Sequence, residues 1–346
     1  MRITMNKLTM LSCITLLVSS FGSVANDKPF AIAIHGGAGT IKASSFTPEQ
    51  EQAYRAKLKE AVDTGYVVLE KGGSSLEAVT KAINILEDSP YFNAGKGAVY
   101  THNEQHEMDA SIMDGKTMNA GAVSGVKHVK SPIDLARLVM DKSVHVMLYG
   151  EGAEEFALSQ GVPLVANETF NTQHRYESLQ RAKAKMEQAK ADNKDYIASH
   201  NALDAEFKVG TVGAVALDKS GNISAGTSTG GMTNKRYGRI GDAPIIGAGT
   251  YAENGVCAVS ATGHGEFFIR YHVAGDICAK VKYQSKSIIQ AADEVINQRL
   301  ITAGGTGGVI AIDHRGNIAT PFNTEGMYRA TRKKGEQAQV MIWRDK

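Results

Sequence analysis

Residues Phe207 to Asp242 read FKVGTVGAVALDKSGNISAGTSTGGMTNKRYGRIGD. By period, Thr211–Asp218 and Asn222–Ser228 are two short strands rich in Val, Ala and Leu. Asp218-Lys219-Ser220-Gly221-Asn222 is turn chemistry between them, with Gly221 available for a positive φ. Spacing alone makes this a hairpin at the edge of an α/β domain. Three features ask for more. Gly210-Thr211 opens the first strand straight after a long polar segment. A hydroxyl-rich run, Thr227-Ser228-Thr229-Gly230-Gly231, closes the second. Arg239 and Asp242 then sit beside Gly238 and Gly241, opposed charges in a loop with little bulk around them. A strand, a hydroxyl cluster and two opposed charges suit a small zwitterion.

Around this stretch lies an ordinary globular chain of 346 residues, 42% hydrophobic and 21% charged, long enough for one large or two medium domains. With 38 basic against 36 acidic side chains there is no basic stripe, and with a single Trp no base-stacking platform, so a nucleic-acid partner is excluded. Arg2 and Lys7 precede the apolar run Leu8–Val18, and Ser23-Val24-Ala25 fits a small-x-small cleavage site. Residues 1–25 therefore read as a secretory signal, too short to span a membrane, with a periplasmic or secreted mature chain from Asn26. Lipid attachment at Cys13 fits poorly, because too little apolar sequence precedes it. Cys257 and Cys278 remain after cleavage; a bridge and two buried free thiols are both open.

In chain order, Phe30–Ile34 is a continuous apolar run, hence a buried strand, ending in His35-Gly36-Gly37-Ala38-Gly39. No Gly-Lys-Ser/Thr follows, so these glycines read as a tight turn rather than a phosphate cradle. Thr47-Pro48 starts a helix that runs to about Lys71, and Ser75 caps a second over Leu76–Leu86. Short strands are expected at Ala98–Thr101, Glu107–Met113, Ala120–Val126, Val144–Leu148, Pro244–Gly247, Val256–Ala261, Val309–Asp313 and Ile318–Pro321. Helices are expected from Ser131 to Met140, over Gly150–Gln160, from Phe267 to Val281 and over Ser287–Leu300. From Asn167 to about Gly210 apolar residues become sparse, which reads as a mobile linker. Gly247-Ala248-Gly249-Thr-Tyr-Ala252 matches a loose dinucleotide fingerprint, but Glu253-Asn254-Gly255 breaks the chain where a helix should open, leaving a strand-connecting loop. His102 and His106 could share a metal only on a helix, and they fall in a polar loop. Val212–Ser228 and Val309–Pro321 share a strand–Asp–turn–Gly-Asn–strand pattern, two hairpins of an antiparallel sheet.

A Thr hydroxyl is a poor nucleophile until a base takes its proton. No G-x-S-x-G occurs, and nothing in the sequence links His264 to a nucleophile. The economical arrangement is a residue that carries its own base. Cutting the Gly210–Thr211 bond would make Thr211 an N-terminus with an α-amine of pKa about 7.7–8.0, matched to the task. The β-branch limits χ1, and Gly210 would permit the backbone geometry that attack on its own carbonyl needs.

Eight segments then belong together: Ile34-His-Gly-Gly-Ala-Gly39, Phe92-Asn-Ala-Gly-Lys-Gly97, Met108-Asp-Ala-Ser-Ile-Met-Asp-Gly115, Gly210-Thr-Val-Gly-Ala-Val215, Thr227-Ser-Thr-Gly-Gly-Met-Thr-Asn234, Gly238-Arg-Ile-Gly-Asp-Ala-Pro244, Ala261-Thr-Gly-His-Gly-Glu266 and Pro321-Phe-Asn-Thr-Glu-Gly-Met327. Through their order and spacing the chain resembles the plant-type asparaginase/isoaspartyl peptidase family of N-terminal-nucleophile hydrolases. The resemblance implies an α+β, four-layer αββα sandwich. It implies a precursor that cuts itself before Thr211 into an α subunit (26–210) and a β subunit (211–346), and a homodimer of such αβ pairs. By that likeness Thr211 is the nucleophile, Thr229 assists it, and Thr262 Oγ with the Gly263 amide forms the oxyanion hole. Arg239 would bind the substrate α-carboxylate, Asp242 the α-ammonium, with Gly263, Gly265 and Asn93 completing the substrate site. The loop Leu86–Lys96 is similar to a structural sodium loop, with main-chain carbonyls of Leu86, Glu87, Ser89, Phe92, Ala94 and Lys96 as ligands; no catalytic metal or other cofactor is implied. The implied substrates are isoaspartyl dipeptides and L-asparagine. Taken singly, Thr229 could merely satisfy a hairpin end, and Arg239/Asp242 could be a surface ion pair. Glycosylasparaginases place Asp before the nucleophile and Asn in the hydroxyl run; Gly210 and Gly230-Gly231 here favour the asparaginase branch. From another class, the competing reading is a periplasmic amino-acid-binding protein that never cleaves.

Overall fold

The computed structural model describes residues 28–192, 194–195 and 210–344. The signal-like segment 1–25 and the end of the polar stretch, 196–209, lie outside the described residues. Twelve strands are found among them: β1 (Ala31–Gly39), β2 (Met108–Asp114), β3 (Ala120–Val126), β4 (Met147–Tyr149), β5 (Val212–Leu217), β6 (Ile223–Thr229), β7 (Thr250–Glu253), β8 (Cys257–Gly263), β9 (Gly307–Asp313), β10 (Ile318–Ala319), β11 (Gly326–Lys333) and β12 (Gln339–Met341). They form an eight-stranded sheet in the order β12-β11-β1-β5-β6-β2-β3-β4 and a four-stranded sheet in the order β10-β9-β8-β7.

Both faces of the central strands are buried, which is why they read as continuous apolar runs rather than alternating ones. On β1, Ile32 and Ile34 face the helices α1 (Pro48–Glu70) and α2 (Ser75–Glu87), sharing a core with Leu58, Leu69, Val79 and Ile83. Ala31 and Ala33 point the other way and meet Val215, Leu217, Ile310 and Ile312 between the sheets. Beyond the second sheet, Val259, Ala261 and Val309 pack under Phe268, Ile277 and Val295. These three cores separate four layers, an αββα sandwich.

Local chemistry starts the helices where expected, with one shift. Thr47 and Gln50 form a reciprocal capping box with Pro48 at the first position of α1. For α2 the cap is Ser74, whose hydroxyl accepts from Glu77 N; Ser75 instead meets Ser224 Oγ at 2.8 Å. Helix α3 (Pro132–Lys142) and helix α4 (Gly150–Ser159) follow the sequence reading closely. Ala98–Thr101 and Pro244–Gly247 are loops, and the strand expected from Val144 begins at Met147. The helix expected over Phe267–Val281 is two, α6 (Gly265–Arg270) and α7 (Val273–Gln284). They break at His272, left-handed at φ 50, whose ring fills the space that a Cβ on Gly247 or Gly275 would need. The last helix, α8 (Ile288–Asp293), runs on through a π turn at Glu294–Arg299.

The linker reading needs the largest correction. Gln173–Ala191 is a helix, α5, with Arg175, Leu179 and Ala182 buried on one stripe. Its anchor is a cation: the buried Arg175 donates from Nε to Gly97 O (2.9 Å) and from Nη2 to Tyr91 O (3.3 Å). A helix held by an arginine and one leucine looks polar in sequence, so its docking was invisible there. Cys257 on β8 and Cys278 on α7 are joined in a disulfide, their Cα atoms 5.6 Å apart. The glycines at 247 and 249 precede strand β7, not a helix, as the broken fingerprint required.

Candidate active site

Thr211 lies at the open end of the β5–β6 hairpin. Val212 pairs with Ser228, so Thr211 stands across from Thr229. The Thr211 hydroxyl donates to Thr229 Oγ1 at 3.1 Å, and Thr229 Oγ1 also accepts from Gly231 N at 3.0 Å. Both threonines are buried. Gly210 packs face to face with Gly37 in β1; a Cβ on Gly210 would strike Gly37 Cα and come within 2.6 Å of Ala38 N. The need for glycine here is room, a cause different from the backbone freedom inferred from sequence. Thr262 reaches the same place from the other sheet, accepting from Ala38 N at 3.2 Å. Gly263 ends β8 opposite Gly307.

Gly265 is where the charges converge. A Cβ there would sit 2.8 Å from Arg239 Nη2 and 3.0 Å from Asp242 Oδ1. Glu266, given no role by the sequence reading, grips Arg239 with two bonds, Nε to Oε1 at 2.9 Å and Nη2 to Oε2 at 3.0 Å. Burial would raise the Glu266 carboxyl, but the Arg239 bonds and charge outweigh it and hold it at about 2. His264 joins this cluster, 3.3 Å from Glu266 Oε2. Asn93 holds the hydroxyl run from behind: Nδ2 donates to Gly231 O (2.7 Å) and its main-chain carbonyl accepts from Gly230 N (3.1 Å).

His35 is a second residue that sequence reasoning quoted without a role. Fully buried, its Nδ1 contacts Thr211 O at 3.0 Å and its Nε2 contacts Ser260 Oγ at 2.9 Å. A carbonyl can only accept, so Nδ1 carries the proton and Nε2 receives the Ser260 hydroxyl. Burial takes this imidazole down to about 3, against the pull of the Thr211 carbonyl, so it is neutral. Behind it Ser111, Thr250, Thr227 and Ser260 form a buried hydroxyl chain with links of 2.8, 2.6 and 2.7 Å. The signal for this chain was present in sequence as hydroxyls inside apolar strands.

The Leu86–Lys96 loop turns carbonyls inward. A Cβ on Gly95 would strike Glu87 O, and one on Gly97 would strike Phe92 O and lie 2.9 Å from Pro90 O. Only glycines leave space beside these carbonyl oxygens, the donor type a hard cation takes. The Glu87 side chain faces away from the carbonyls, accepting from Ser131 Oγ, Ser228 Oγ and Ile133 N; burial pushes it up to about 8. His102 and His106 do not meet on a metal: His102 bonds Asn234, and His106 packs at a tilt against Tyr100 with ring centres 4.1 Å apart. Among the described residues no cluster of three or more His, Cys, Asp or Glu could hold a metal ion.

Comparison with known proteins agrees with this geometry. The family described as Asparaginase matches residues 28–342. The isoaspartyl peptidase of Salmonella typhimurium is 52% identical over 314 residues, covering 91% of this chain and 98% of that protein. Its Escherichia coli counterpart, also an isoaspartyl peptidase, is 51% identical over 91% of this chain and 96% of its own length. An isoaspartyl peptidase/L-asparaginase of Xenopus laevis is 44% identical with the same coverage of 91% and 96%. The chain belongs to the asparaginase family.

Proposed function

We propose that this protein is a self-processing amidohydrolase that releases N-terminal β-linked aspartate from isoaspartyl dipeptides and converts L-asparagine to L-aspartate and ammonia. The observation that carries it is the buried Thr211, directly after Gly210, with its hydroxyl on Thr229 and with Arg239 and Asp242 converging over Gly265. Cleavage of the Gly210–Thr211 bond frees the Thr211 amine, which then takes the hydroxyl proton as substrate is attacked. The substrate carboxylate lies against Arg239 and its ammonium against Asp242, which puts the β-carbonyl at Thr211. Thr262 Oγ and the Gly263 amide receive the developing oxyanion; the substrate C–N bond breaks as the Thr211 ammonium returns its proton to the departing ammonia or amine, leaving a β-aspartyl ester on Thr211 Oγ that water hydrolyses to aspartate. Glu266 keeps the guanidinium plane of Arg239 aimed at the substrate carboxylate.

Three further parts belong to this reading. The carbonyls of Leu86, Glu87, Ser89, Phe92, Ala94 and Lys96 would hold sodium, whose charge would brace the loop that carries Asn93. The mature form would be a homodimer of αβ pairs. Residues 1–25 would direct it to the periplasm, and the Cys257–Cys278 bridge suits an oxidising compartment.

The test is direct. Purified protein should give two chains, the smaller starting Thr-Val-Gly-Ala-Val, and should hydrolyse β-Asp-Leu and L-Asn assayed side by side. Thr211→Ala should remain one chain with no hydrolysis of either. A wild-type protein that stays a single chain sinks the reading.

A further inference from the structure

Self-cleavage poses a problem that substrate hydrolysis does not. Before the cut, the Thr211 nitrogen is a peptide amide and cannot serve as base. The Thr211 hydroxyl has one acceptor among the described residues, Thr229 Oγ1 at 3.1 Å. Thr229 Oγ1 in turn accepts twice, from Thr211 and from Gly231 N, and its own proton has no acceptor among the described residues. The proton must continue past Thr229.

Asp109 on β2 is the next residue in that row. Asp109 pairs directly with Thr229 across the β2–β6 ladder, so both side chains share a face of the sheet. That face looks toward the second sheet, since Ser111, two residues on, reaches Thr250 Oγ1 at 2.8 Å. Asp109 is completely buried. Its Oδ1 is tied by Ser124 Oγ at 2.8 Å and Gly125 N at 2.9 Å, while Oδ2 has no hydrogen-bond partner. A buried acceptor left unpaired is costly. An asparagine would satisfy Ser124 and Gly125 equally well through one oxygen, so fold alone gives no reason for the second. Among the described residues, the hydrogen-bond partners of Asp109 are Ser124 and Gly125 of β3, neither of them a cation, and the buried Lys235 beyond β6 is engaged with Glu107 O at 3.0 Å.

We propose that Asp109 is the terminal proton acceptor for self-cleavage, acting through Thr229. This rests on Thr211 being the self-cleaving nucleophile. As Thr211 Oγ bonds to the Gly210 carbonyl carbon, its proton passes to Thr229 Oγ1; the Thr229 proton crosses the ladder to its pair Asp109 Oδ2 through one bridging water, since the two side chains are not in direct hydrogen-bond contact. When the C–N bond breaks, the proton returns along the same path to the Thr211 nitrogen, leaving an ester between Gly210 and Thr211 Oγ. Water then hydrolyses the ester to the Gly210 carboxylate and a free hydroxyl. In the mature enzyme the amine replaces Asp109 as base, so the two reactions differ in their dependence on this residue.

The experiment follows chain cleavage of full-length wild type and Asp109→Asn after a pulse of cell-free translation. Asp109→Asn should mature about 100-fold more slowly, the scale of a lost general base. Once matured, it should keep kcat for L-Asn within about ten-fold of wild type, a split that general damage to the site would not give. Wild-type cleavage with equally fast Asp109→Asn cleavage overturns the relay and leaves the nucleophile standing; no cleavage in wild type removes the nucleophile itself. Equal loss of maturation and kcat also overturns the relay. If the Asn variant does not fold, Asp109→Ala is translated with and without formate. Cleavage that rises with formate supports the assignment, and cleavage indifferent to it overturns it.

Discussion

The chain builds the same turn twice and puts the two copies to different use. At β5–β6, Asp218 Oδ1 accepts from Ser220 N (2.9 Å) and Asn222 N (3.0 Å), and Gly221 takes φ 84. At β9–β10, Asp313 Oδ1 accepts from Arg315 N and Asn317 N, both at 2.9 Å, and Gly316 takes φ 81. The closed ends share one backbone pattern. The strands are not. β6 carries four buried hydroxyls, Ser224, Thr227, Ser228 and Thr229, while β9 from Val309 to Ile312 carries only apolar side chains. At its open end the first hairpin presents Thr211 and Thr229; the second presents Gly307 and Gly308, which lie under Gly263 and Thr262. Turn residues are constrained by local backbone bonds, so they serve stability. Open ends are constrained only by what the other sheet brings to them, so chemistry can gather there.

The widest separation between the two ends should come from Arg239→Ala, beyond the open end of β6. Losing a charge-assisted carboxylate contact should cost about 2–5 kcal/mol in transition-state binding, or roughly 30- to 5000-fold in kcat/KM for both L-Asn and β-Asp-Leu. Self-cleavage should persist, and lysine should restore only part, lacking the fork. Blocked maturation would instead make Arg239 a structural partner of Glu266. Next comes the open end of the second hairpin. A Cβ on Gly307, at φ 151, would lie 2.6 Å from Gly263 Cα and 2.7 Å from the Phe268 ring. Gly307→Ala should displace the Thr262-Gly263 end of β8 and lower kcat about 100-fold, the scale of a small misplacement of reacting groups. Activity unchanged there would mean that β8 is positioned from elsewhere.

The closed ends should behave oppositely, losing stability and little activity. Asp313→Ala removes two backbone bonds and one from Asn317 Nδ2, together about 2 kcal/mol. Asp218→Ala also removes three bonds, but one of them is the buried bond from Ser75 N that caps the start of α2, so it should cost about 1 kcal/mol more. Urea unfolding on the Thr211→Ala background, which stays one chain, measures both. Equal losses would show that the Ser75 bond contributes no more than the Asn317 side-chain bond it is matched against.

What could be read from sequence follows the same division. Turns, the Thr47-Pro48 start of α1 and the buried apolar strand β1 are set by neighbours in the chain, and they were legible. The meeting of Thr211 with Thr229 was legible because Gly210-Thr211 and the hydroxyl run lie together in sequence. Asp109, His35 and Glu266 were not, since each acquires its meaning from a partner in a distant segment: Thr229, Thr211 and Arg239. Helix α5 escaped for a related reason. Its docking depends on one guanidinium finding two carbonyls of another loop, which no count of apolar residues detects. The Cys257–Cys278 pairing likewise needed the proximity of β8 and α7.

The mildest substitution examines the back face of the first hairpin, where Ser228 donates to the buried Glu87 at 2.6 Å. Burial raises Glu87 from 4.5 to about 8, so the folded state binds a proton that the unfolded state releases. Its contribution is fully present below pH 4.5 and is lost as pH rises toward 8. His35 has the opposite sign: lowered from 6.5 to about 3, it stays neutral in the fold while the unfolded chain protonates, so stability falls as pH drops below 6.5. Each slope is about 1.4 kcal/mol per pH unit. Between pH 4.5 and 6.5 the two oppose and stability should be nearly flat; from 6.5 to 8 Glu87 acts alone, a decline of about 2 kcal/mol. Glu87→Gln keeps the shape of the protonated acid and should change stability by under about 1 kcal/mol at pH 6.5. It should abolish the alkaline decline and uncover the His35 slope on the acid side. Unfolding curves at half-unit pH steps, in wild type and Glu87→Gln, decide this. An alkaline decline that survives the substitution would mean that the polar face of this hairpin holds Glu87 ionised, and that its three donors outweigh its burial.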